Sequence, residues 1–202
     1  MRKVYKSFLK AALLLVTVAV ALNFAGCSKQ GETMKKIKES GKLVLGTSAD
    51  YAPYEFHKII DGQDTIVGFD IDIAREIAKD LGVELVINEY SFDSLLQALN
   101  SGKIDIVISG MNPSPERAKS VDFSDIYYTA QHAVMVRAED KDKIKTIDDL
   151  KGKKVGAQLT TTQEDIVKEK MPDSTLVSLK TIPNLVLELM NKKVDAIVVE
   201  LP

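Results

Sequence analysis

The sequence of 202 residues has no tryptophan, a single cysteine and only two histidines. The histidines, His57 and His132, are far apart in the chain, so neither a zinc site nor a histidine-based catalytic site is expected. Lysine and arginine total 27 against 29 acidic residues, and no basic block stands out. This balance does not favour nucleic acid as a partner. No metal and no cofactor is predicted.

The composition that remains is that of an ordinary globular protein. Hydrophobic residues make up 45% of the chain and charged residues 28%. The length suits one large domain or two small ones and is enough for a hydrophobic core.

The first residues have the composition of a secretory signal rather than of a folded segment. Residues 1–10 contain four basic residues, and the apolar run AALLLVTVAVALNFAG follows. A basic start, an apolar run and a small-residue end predict a signal peptide at residues 1–26. The alternative is a retained membrane anchor, for which the apolar run is somewhat shorter than the ~20 residues of a span.

Cys27 follows this run directly, after Phe24-Ala25-Gly26. The arrangement resembles a bacterial lipobox, in which the cysteine carries the lipid (palmitate and related acyl chains) and becomes the first residue of the mature protein. An unpaired cysteine in a secreted protein otherwise has to be a free thiol. We therefore expect an extracytoplasmic lipoprotein anchored to the bacterial membrane, with residues 27–40 as a polar tether.

Strands alternate with helices from Gly41 onward. Short apolar runs such as LVLGT and IDIVIS are typical of buried parallel strands, and FDIDIAREIAKDLG has helical spacing with Gly82 as its stop. The pattern predicts α/β lobes with parallel sheets.

An internal repeat predicts two such lobes. The segment FDSLLQALNSGKIDIVISG, from Phe92, aligns without gaps with IPNLVLELMNKKVDAIVVE, from Ile182. Two copies are too few for a solenoid. Ligands of open α/β sheets bind beyond the carboxyl ends of the strands, so a ligand is expected in a cleft between the lobes.

Candidate binding groups follow the predicted strand ends. Arg117 lies in the loop SGMNPSPERAKSVDFS, which its prolines stiffen. The planar guanidinium group of an arginine can bind a carboxylate through two parallel hydrogen bonds. Glu200, at the matching strand end of the other lobe, suits an ammonium group. Thr161 and Glu164 fit a capping box with Thr162 in the first helical turn, a place for an anion or simply a cap. Taken singly, each residue could equally be an ordinary surface or cap residue.

The segments GTSADYAPYEF, IVGFDIDIAREIAKDLG, LNSGKIDIVISGMNPSPERAKSVDFSDIYY and GKKVGAQLTTTQE resemble the family 3 extracellular solute-binding proteins of polar amino acid ABC importers. The resemblance implies a type II periplasmic-binding-protein fold, two lobes closing over one L-amino acid. It further implies lobe 1 at residues 41–131 and lobe 2 at residues 132–202. The partners it implies are the amino acid and the permease subunits of the transporter.

The resemblance also implies roles for single residues. Arg117 would bind the α-carboxylate with help from Asn112 and Thr162, and Glu200 the α-ammonium. Ser109 and Gly110 would contact the ligand through the main chain, Tyr51 would stack on its side chain, and Ser48 and Gln158 would offer it hydrogen bonds. The complete set of predicted ligand-binding residues is Ser48, Tyr51, Ser109, Gly110, Asn112, Arg117, Gln158, Thr162 and Glu200.

Several positions depart from the family pattern. Asn112 stands in place of serine or threonine, and Glu200 in place of aspartate. Ser48 stands where many binders of basic amino acids carry an acid, so arginine-like and glutamine-like ligands both remain open. The sequence also stops soon after Glu200, where the family continues, so we expect an incomplete second lobe and a fragment or truncated product.

Two functions compete. The first is a non-catalytic receptor that captures a polar amino acid and delivers it to an importer. The second is an enzyme of the cyclohexadienyl dehydratase kind on the same fold, for which Glu200 or Glu55 could supply a proton. A sensor module is a third possibility, with no output domain in the sequence to support it.

Overall fold

The computed structural model describes residues 28–201. The predicted signal peptide and Cys27 therefore lie outside the described residues. Residues 28–41 belong to a separate unit, in which helix α1 covers Ser28–Ser40. The segment expected to be a polar tether is thus helical, and its role as a tether stays a prediction. Among residues 28–201, no helix is long and apolar enough to cross a membrane.

The first half of the unit formed by residues 42–202 contains two small sheets. Its elements in chain order are β1 (Lys42–Thr47), β2 (Asp50–Tyr51), β3 (Glu55–Ile60), β4 (Gln63–Val67), α2 (Phe69–Leu81), β5 (Glu84–Glu89), α3 (Leu95–Asn100) and β6 (Ile106–Val107). Strands β5, β1 and β6 form a sheet in that order. All its pairs are parallel, as predicted. Strands β2, β3 and β4, which follow β1 and precede α2 in the chain, form an antiparallel sheet. The sequence analysis did not predict this sheet.

Helix α2 shows why these residues form a helix. Ile71, Ala74 and Ala78 recur at helical spacing and are all buried. Gly82 ends the helix in the left-handed conformation, with φ of 70°, as expected of a glycine C-cap. The buried face of α2 packs with Leu45 of β1 into the core of the first lobe.

The second half contains one four-stranded sheet. Its elements are β7 (Gln131–Val136), β8 (Lys154–Gln158), α4 (Thr162–Lys170), β9 (Thr175–Leu179), α5 (Ile182–Met190) and β10 (Ala196–Leu201). The sheet order is β7-β10-β8-β9, with β7 antiparallel to β10 and the other pairs parallel. The predicted α/β class is confirmed, and both lobes contain a three-stranded parallel sheet of the same order.

The internal repeat is visible in matching hydrogen bonds. In the first lobe, Asp105 accepts a hydrogen bond from the main-chain N–H of Val44 at 3.0 Å, and its own N–H donates to the Val44 carbonyl at 2.8 Å. In the second lobe, Asp195 makes the same two bonds with Lys154 at 2.9 and 2.8 Å. The two aspartates are therefore structural equivalents, as the alignment predicted.

The same register makes Gly46 the equivalent of Gly156. A Cβ at Gly46 would lie 2.2 Å from Cδ1 of Ile104, and one at Gly156 would lie 2.8 Å from Cδ2 of Leu185. Both strands thus need glycine where a neighbouring side chain packs closely against the sheet. The sequence also suggests a second match, of GKLVLGT (residues 41–47) with GKKVGAQ (residues 152–158), and the register in the structure differs from it by one residue.

Candidate ligand-binding site

The predicted cleft exists, and the side chains of both lobes line it. Eight of the nine predicted binding residues surround one cavity, joined by Asp50, Glu55, Phe92, Thr161, Gln163 and Ile182. The eight are Tyr51, Ser109, Gly110, Asn112, Arg117, Gln158, Thr162 and Glu200. The free space among them is about 20 Å³, roughly the volume needed for one water molecule. A larger molecule can enter only if the lobes separate.

Arg117 begins a 3-10 turn, Arg117–Lys119, and its half-buried guanidinium group spans the cleft. Nη1 donates to the carbonyl of Asn112 at 2.5 Å in the first lobe, and Nη2 donates to the carbonyl of Thr160 at 2.8 Å in the second. The guanidinium carbon lies 5.4 Å from the centre of the Phe92 ring. Among residues 28–201, no carboxylate lies within 4.0 Å of it. Burial lowers the pKa of Arg117, and the negative charge of Asp165, which lies beyond direct contact, opposes this effect.

Glu200 faces the same cavity from β10, and its side chain is only 7% exposed. Its Oε1 accepts a hydrogen bond from Nδ2 of Asn112 at 2.8 Å, across the cleft. His132, its register partner on β7, places Nδ1 3.7 Å from the same oxygen. A largely buried carboxylate with a single close donor has free acceptor positions for a cationic group.

Tyr51 also bridges the two lobes. Its hydroxyl accepts a hydrogen bond from the main-chain N–H of Glu200 at 2.8 Å. Burial raises the pKa of Tyr51 to about 12, so the hydroxyl remains protonated. The ring lies 5.5 Å from that of Tyr54, which is itself buried. Tyr51 therefore closes the cleft with its hydroxyl, in addition to the stacking role expected of its ring.

The start of helix α4 contributes Thr162. Thr161 is the N-cap, and its hydroxyl accepts from the N–H of Glu164 at 3.3 Å. The carboxylate of Glu164 accepts from the N–H of Thr160 at 2.7 Å, one residue earlier than the predicted capping box requires. The Thr162 hydroxyl accepts from Nδ2 of Asn112 at 3.3 Å, so this helix start closes onto the first lobe.

Three of the predicted binding residues already bond to other groups of the first lobe. Gly110 lies in the cavity wall, but its N–H donates to Oδ2 of Asp70 at 2.6 Å and is not free for a ligand. Ser48 is 4% exposed and does not line the cavity; its hydroxyl donates to Oδ1 of Asp50 at 3.2 Å. The hydroxyl of Ser109 is likewise bonded within the first lobe. It accepts a hydrogen bond from the N–H of Ser48 at 3.0 Å and donates one to Glu55 at 2.9 Å.

Asp50 is a site residue that the sequence analysis missed. Its Oδ2 accepts from Nε2 of Gln158 at 3.3 Å and from the N–H of Ile182 at 3.1 Å, both in the second lobe. Burial raises the pKa of Asp50. Many binders of basic amino acids in the family carry an acid at the position of Ser48, and in this chain an acid stands two residues further on. Asp50 is visible in the segment ADYAPYEF, but the sequence alone did not predict the turn that directs its side chain into the cleft.

Residues 43–200 match the model of the bacterial extracellular solute-binding proteins, family 3. The arginine-binding extracellular protein ArtP of Bacillus subtilis is 40% identical over 196 residues, which cover 95% of this chain and 72% of ArtP.

Two solved structures extend this likeness to the fold. The amino acid ABC transporter substrate-binding protein AbpA of Streptococcus pneumoniae, bound to L-arginine, superposes with a TM-score of 0.81 at 43% identity, covering 83% of this chain and 71% of AbpA. The ancestral amino acid-binding protein AncCDT-1, a precursor of cyclohexadienyl dehydratase, superposes with a TM-score of 0.78 at 39% identity, covering 83% and 74%. The predicted type II periplasmic-binding-protein fold is confirmed.

Proposed function

Because this chain belongs to the bacterial extracellular solute-binding proteins of family 3, we propose that it binds a cationic L-amino acid of the arginine type between its two lobes. It would hand that amino acid to the permease of an ABC importer. The family places the protein outside the cytoplasm. Each part of this proposal rests on particular groups in the cleft.

The observation that carries the proposal is that Arg117 has no carboxylate in direct contact and only the more distant Asp165 to offset its charge. Its guanidinium group is half-buried, bonded only to two main-chain carbonyls and without a carboxylate within 4.0 Å among residues 28–201. Leaving a cation partly desolvated and unpaired is costly, and a bidentate carboxylate removes that cost. The α-carboxylate of an amino acid fits this requirement.

Glu200 supplies the opposite charge for the α-ammonium group. Its carboxylate is in the same cavity wall as Arg117, and Asn112 contacts both sides of the cleft through Thr162 and Glu200. A ligand with separated positive and negative groups would satisfy Arg117 and Glu200 together. The closed cleft strengthens both interactions because it excludes water.

The side chain of the ligand would be read by Asp50 and Gln158. Asp50 carries a carboxylate into the cavity, and Gln158 offers an amide beside it. A cationic side chain would replace the contact between these two residues and pair with Asp50. The arginine-binding relatives support the cationic class over the glutamine-like alternative that the sequence left open.

Cys27 would tether the receptor to the membrane. The residue lies outside the described part of the chain, so the support is the order of basic, apolar and small residues before a lone cysteine. A lipid-bound receptor stays close to its permease. A single acyl chain anchors weakly, so the multiple acylation of a lipoprotein suits this task better.

A thermal-shift panel of the twenty amino acids on the purified full chain tests the proposed function. Ligand that binds only the native state at 100 times its Kd stabilises it by about 2.7 kcal/mol. We expect the largest shift with L-arginine, a smaller one with L-lysine and little with L-glutamine. Stabilisation by leucine or valine alone would exclude a cationic ligand.

We propose binding without catalysis. Arg117, Glu200 and Asp50, which bring charge into the cavity, each have a proposed role in holding an amino acid. The likeness to the precursor of a dehydratase nevertheless makes the enzymatic alternative testable. Incubation with prephenate should yield no aromatic product above the rate without protein, and turnover abolished by Glu200→Gln would favour the enzyme.

A further inference from the structure

Asp70, the second residue of α2, is a buried acid that lies behind the cleft. It is 0% exposed and does not line the cavity between the lobes. Its Oδ2 accepts a hydrogen bond from the main-chain N–H of Gly110 at 2.6 Å, and both of its oxygens lie 3.1 Å from the hydroxyl of Tyr127. The carboxyl group of Glu55 shares a further hydrogen bond with it. Groups from three segments of the chain thus converge on one side chain.

Tyr127 belongs to the interlobe segment, residues 122–129, which leads from the first lobe to β7. These residues form neither helix nor strand, and within residues 28–201 their main-chain groups make no hydrogen bonds to other main-chain groups. Aromatic contacts hold the segment instead: the ring of Phe69 lies 6.1 Å from that of Tyr127 and 5.8 Å from that of Tyr128. Side chains therefore set the path of this segment, and the bond from Tyr127 to Asp70 gives it a fixed direction.

Gly110 begins the loop that carries two of the proposed binding groups. It lines the cavity with a φ of 54°, and Asn112 and Arg117 follow it in the same loop. Because Asp70 holds the N–H of Gly110, it fixes the point from which this loop leaves the first lobe. One carboxylate is therefore bonded both to the loop that carries Arg117 and to the segment that connects the lobes.

We propose that Asp70 is a positioning residue that couples the interlobe segment to the loop carrying Arg117 and thereby favours the closed cleft. The closed cavity holds about 20 Å³, so a ligand enters only when the lobes separate. Such a movement is absorbed by φ and ψ changes in the connecting residues. The bond from Tyr127 restrains these residues in the closed arrangement. The inference rests on the proposed function, since it names a residue outside the cavity that governs affinity at the same site.

The variant Tyr127→Phe tests the coupling because it removes one hydroxyl and keeps the ring that contacts Phe69. In titration calorimetry of the full chain, L-arginine should bind about tenfold more weakly, since the closed form loses a hydrogen bond to a carboxylate. Thermal unfolding of the unliganded variant, measured beside it, reports the contribution of the same bond to the fold. The matched control Tyr90→Phe removes a hydroxyl outside the interlobe segment and should leave the affinity for arginine unchanged.

Asp70→Asn, alone and combined with Tyr127→Phe, shows whether the two residues act through one bond. The single variant should lose more affinity than Tyr127→Phe, because the N–H of Gly110 also loses a charged acceptor. In the Asp70→Asn background, Tyr127→Phe should weaken arginine binding by no more than about a further twofold, since the acceptor it depends on is already changed. Asp72→Asn, an exposed acid in the same helical turn, is the matched control and should bind arginine like the unaltered protein.

The outcomes distinguish the two proposals. Arginine that binds Tyr127→Phe as tightly as the unaltered protein, whatever the melting temperature, would show that the bond serves the fold alone and would overturn the role of Asp70. Additive losses in the double variant would overturn it as well, because the two residues would then act through different contacts. If Asp70→Asn does not fold, the affinity of Tyr127→Phe decides. In each of these cases the receptor function stands, whereas no binding of arginine to the unaltered protein would overturn the proposed function and this inference with it.

Discussion

The hydroxyl of Tyr51 in the first lobe accepts a hydrogen bond from the main-chain N–H of Glu200 in the second, at 2.8 Å. A single phenol oxygen thereby joins Tyr51, in the aromatic wall of the cleft, to the strand that carries Glu200. Closing of the lobes and placement of Glu200 are therefore coupled.

Tyr51→Phe should weaken amino acid binding while preserving the ring. The change leaves the Glu200 N–H without its partner in the closed form, which costs about 1 kcal/mol, or about fivefold in affinity. Calorimetry against arginine measures this. As a control, Tyr90→Phe alters a tyrosine that is not part of the cavity wall. Equal affinities of Tyr51→Phe and the unaltered protein would show that the bridge does not stabilise the closed form.

Arg117→Lys should reduce affinity by about 2 kcal/mol or more. Lysine keeps the charge but lacks the fork that reaches the carbonyls of Asn112 and Thr160 and a carboxylate together. Arg75→Lys, on the exposed face of α2, is the matched control. If both variants bind arginine like the unaltered protein, Arg117 lies outside the ligand contact.

Glu55→Gln should stabilise the unliganded protein at alkaline pH. The pKa of Glu55 is about 10 in the folded state and lies near its ordinary value of about 4.3 in the unfolded state. The folded state thus binds more protons between these values, and stability falls as pH rises through this window. At about pH 8 we expect a melting temperature at least about 4 °C higher for the variant, with the difference vanishing near pH 4. A constant difference across pH would contradict a raised pKa.

Gly46→Ala should destabilise the first lobe by about 1–3 kcal/mol. The added methyl group would overlap Cδ1 of Ile104, which lies 2.2 Å from the Cβ position. Gly31→Ala in α1 is the control, because nothing lies within 4 Å of its Cβ position, and a helical alanine is favoured over glycine. Thermal unfolding that gives the same midpoint for both variants would show that β1 tolerates a side chain at residue 46.

Mass spectrometry of the membrane-associated protein should find a chain that begins at Cys27 and carries acyl groups. The expectation comes from the signal-like residues 1–26 and the lone cysteine after them. Cys27→Ser should leave the precursor uncleaved or release the protein from the membrane. An intact Met1 with an unmodified Cys27 would exclude the lipoprotein.

Periodicity and repetition predicted the regular part of the fold. Helix α2 with Gly82 at its end and the equivalence of Asp105 and Asp195 follow from local spacing, which the structure preserves. Strand and helix lengths were less predictable. The segment IDIVIS, residues 104–109, forms a regular strand only at Ile106–Val107, although the N–H groups of Asp105 and Ile108 also donate to carbonyls of β1.

The hairpin formed by β3 and β4 was missed although its signal is present. Asp61 and Gly62 have φ of 50° and 78°, the conformation that a tight hairpin turn requires of the Asp-Gly pair. The misassigned site groups have a different cause. The capture of the Gly110 amide by Asp70, 40 residues away, depends on tertiary contacts that no local pattern contains.

The matching hydrogen bonds of Asp105 and Asp195 close chain segments of different length in the two lobes. Asp105 and Val44 are 61 residues apart, whereas Asp195 and Lys154 are 41 apart. The difference includes the β2–β4 sheet, which carries Asp50, Tyr51 and Glu55. Lengthening a loop by this ratio adds only about 0.4 kcal/mol of closure entropy. The residues proposed to contact the ligand side chain therefore lie on an insertion that the topology tolerates at small cost, and exchanging this segment should alter ligand specificity without redesign of either lobe.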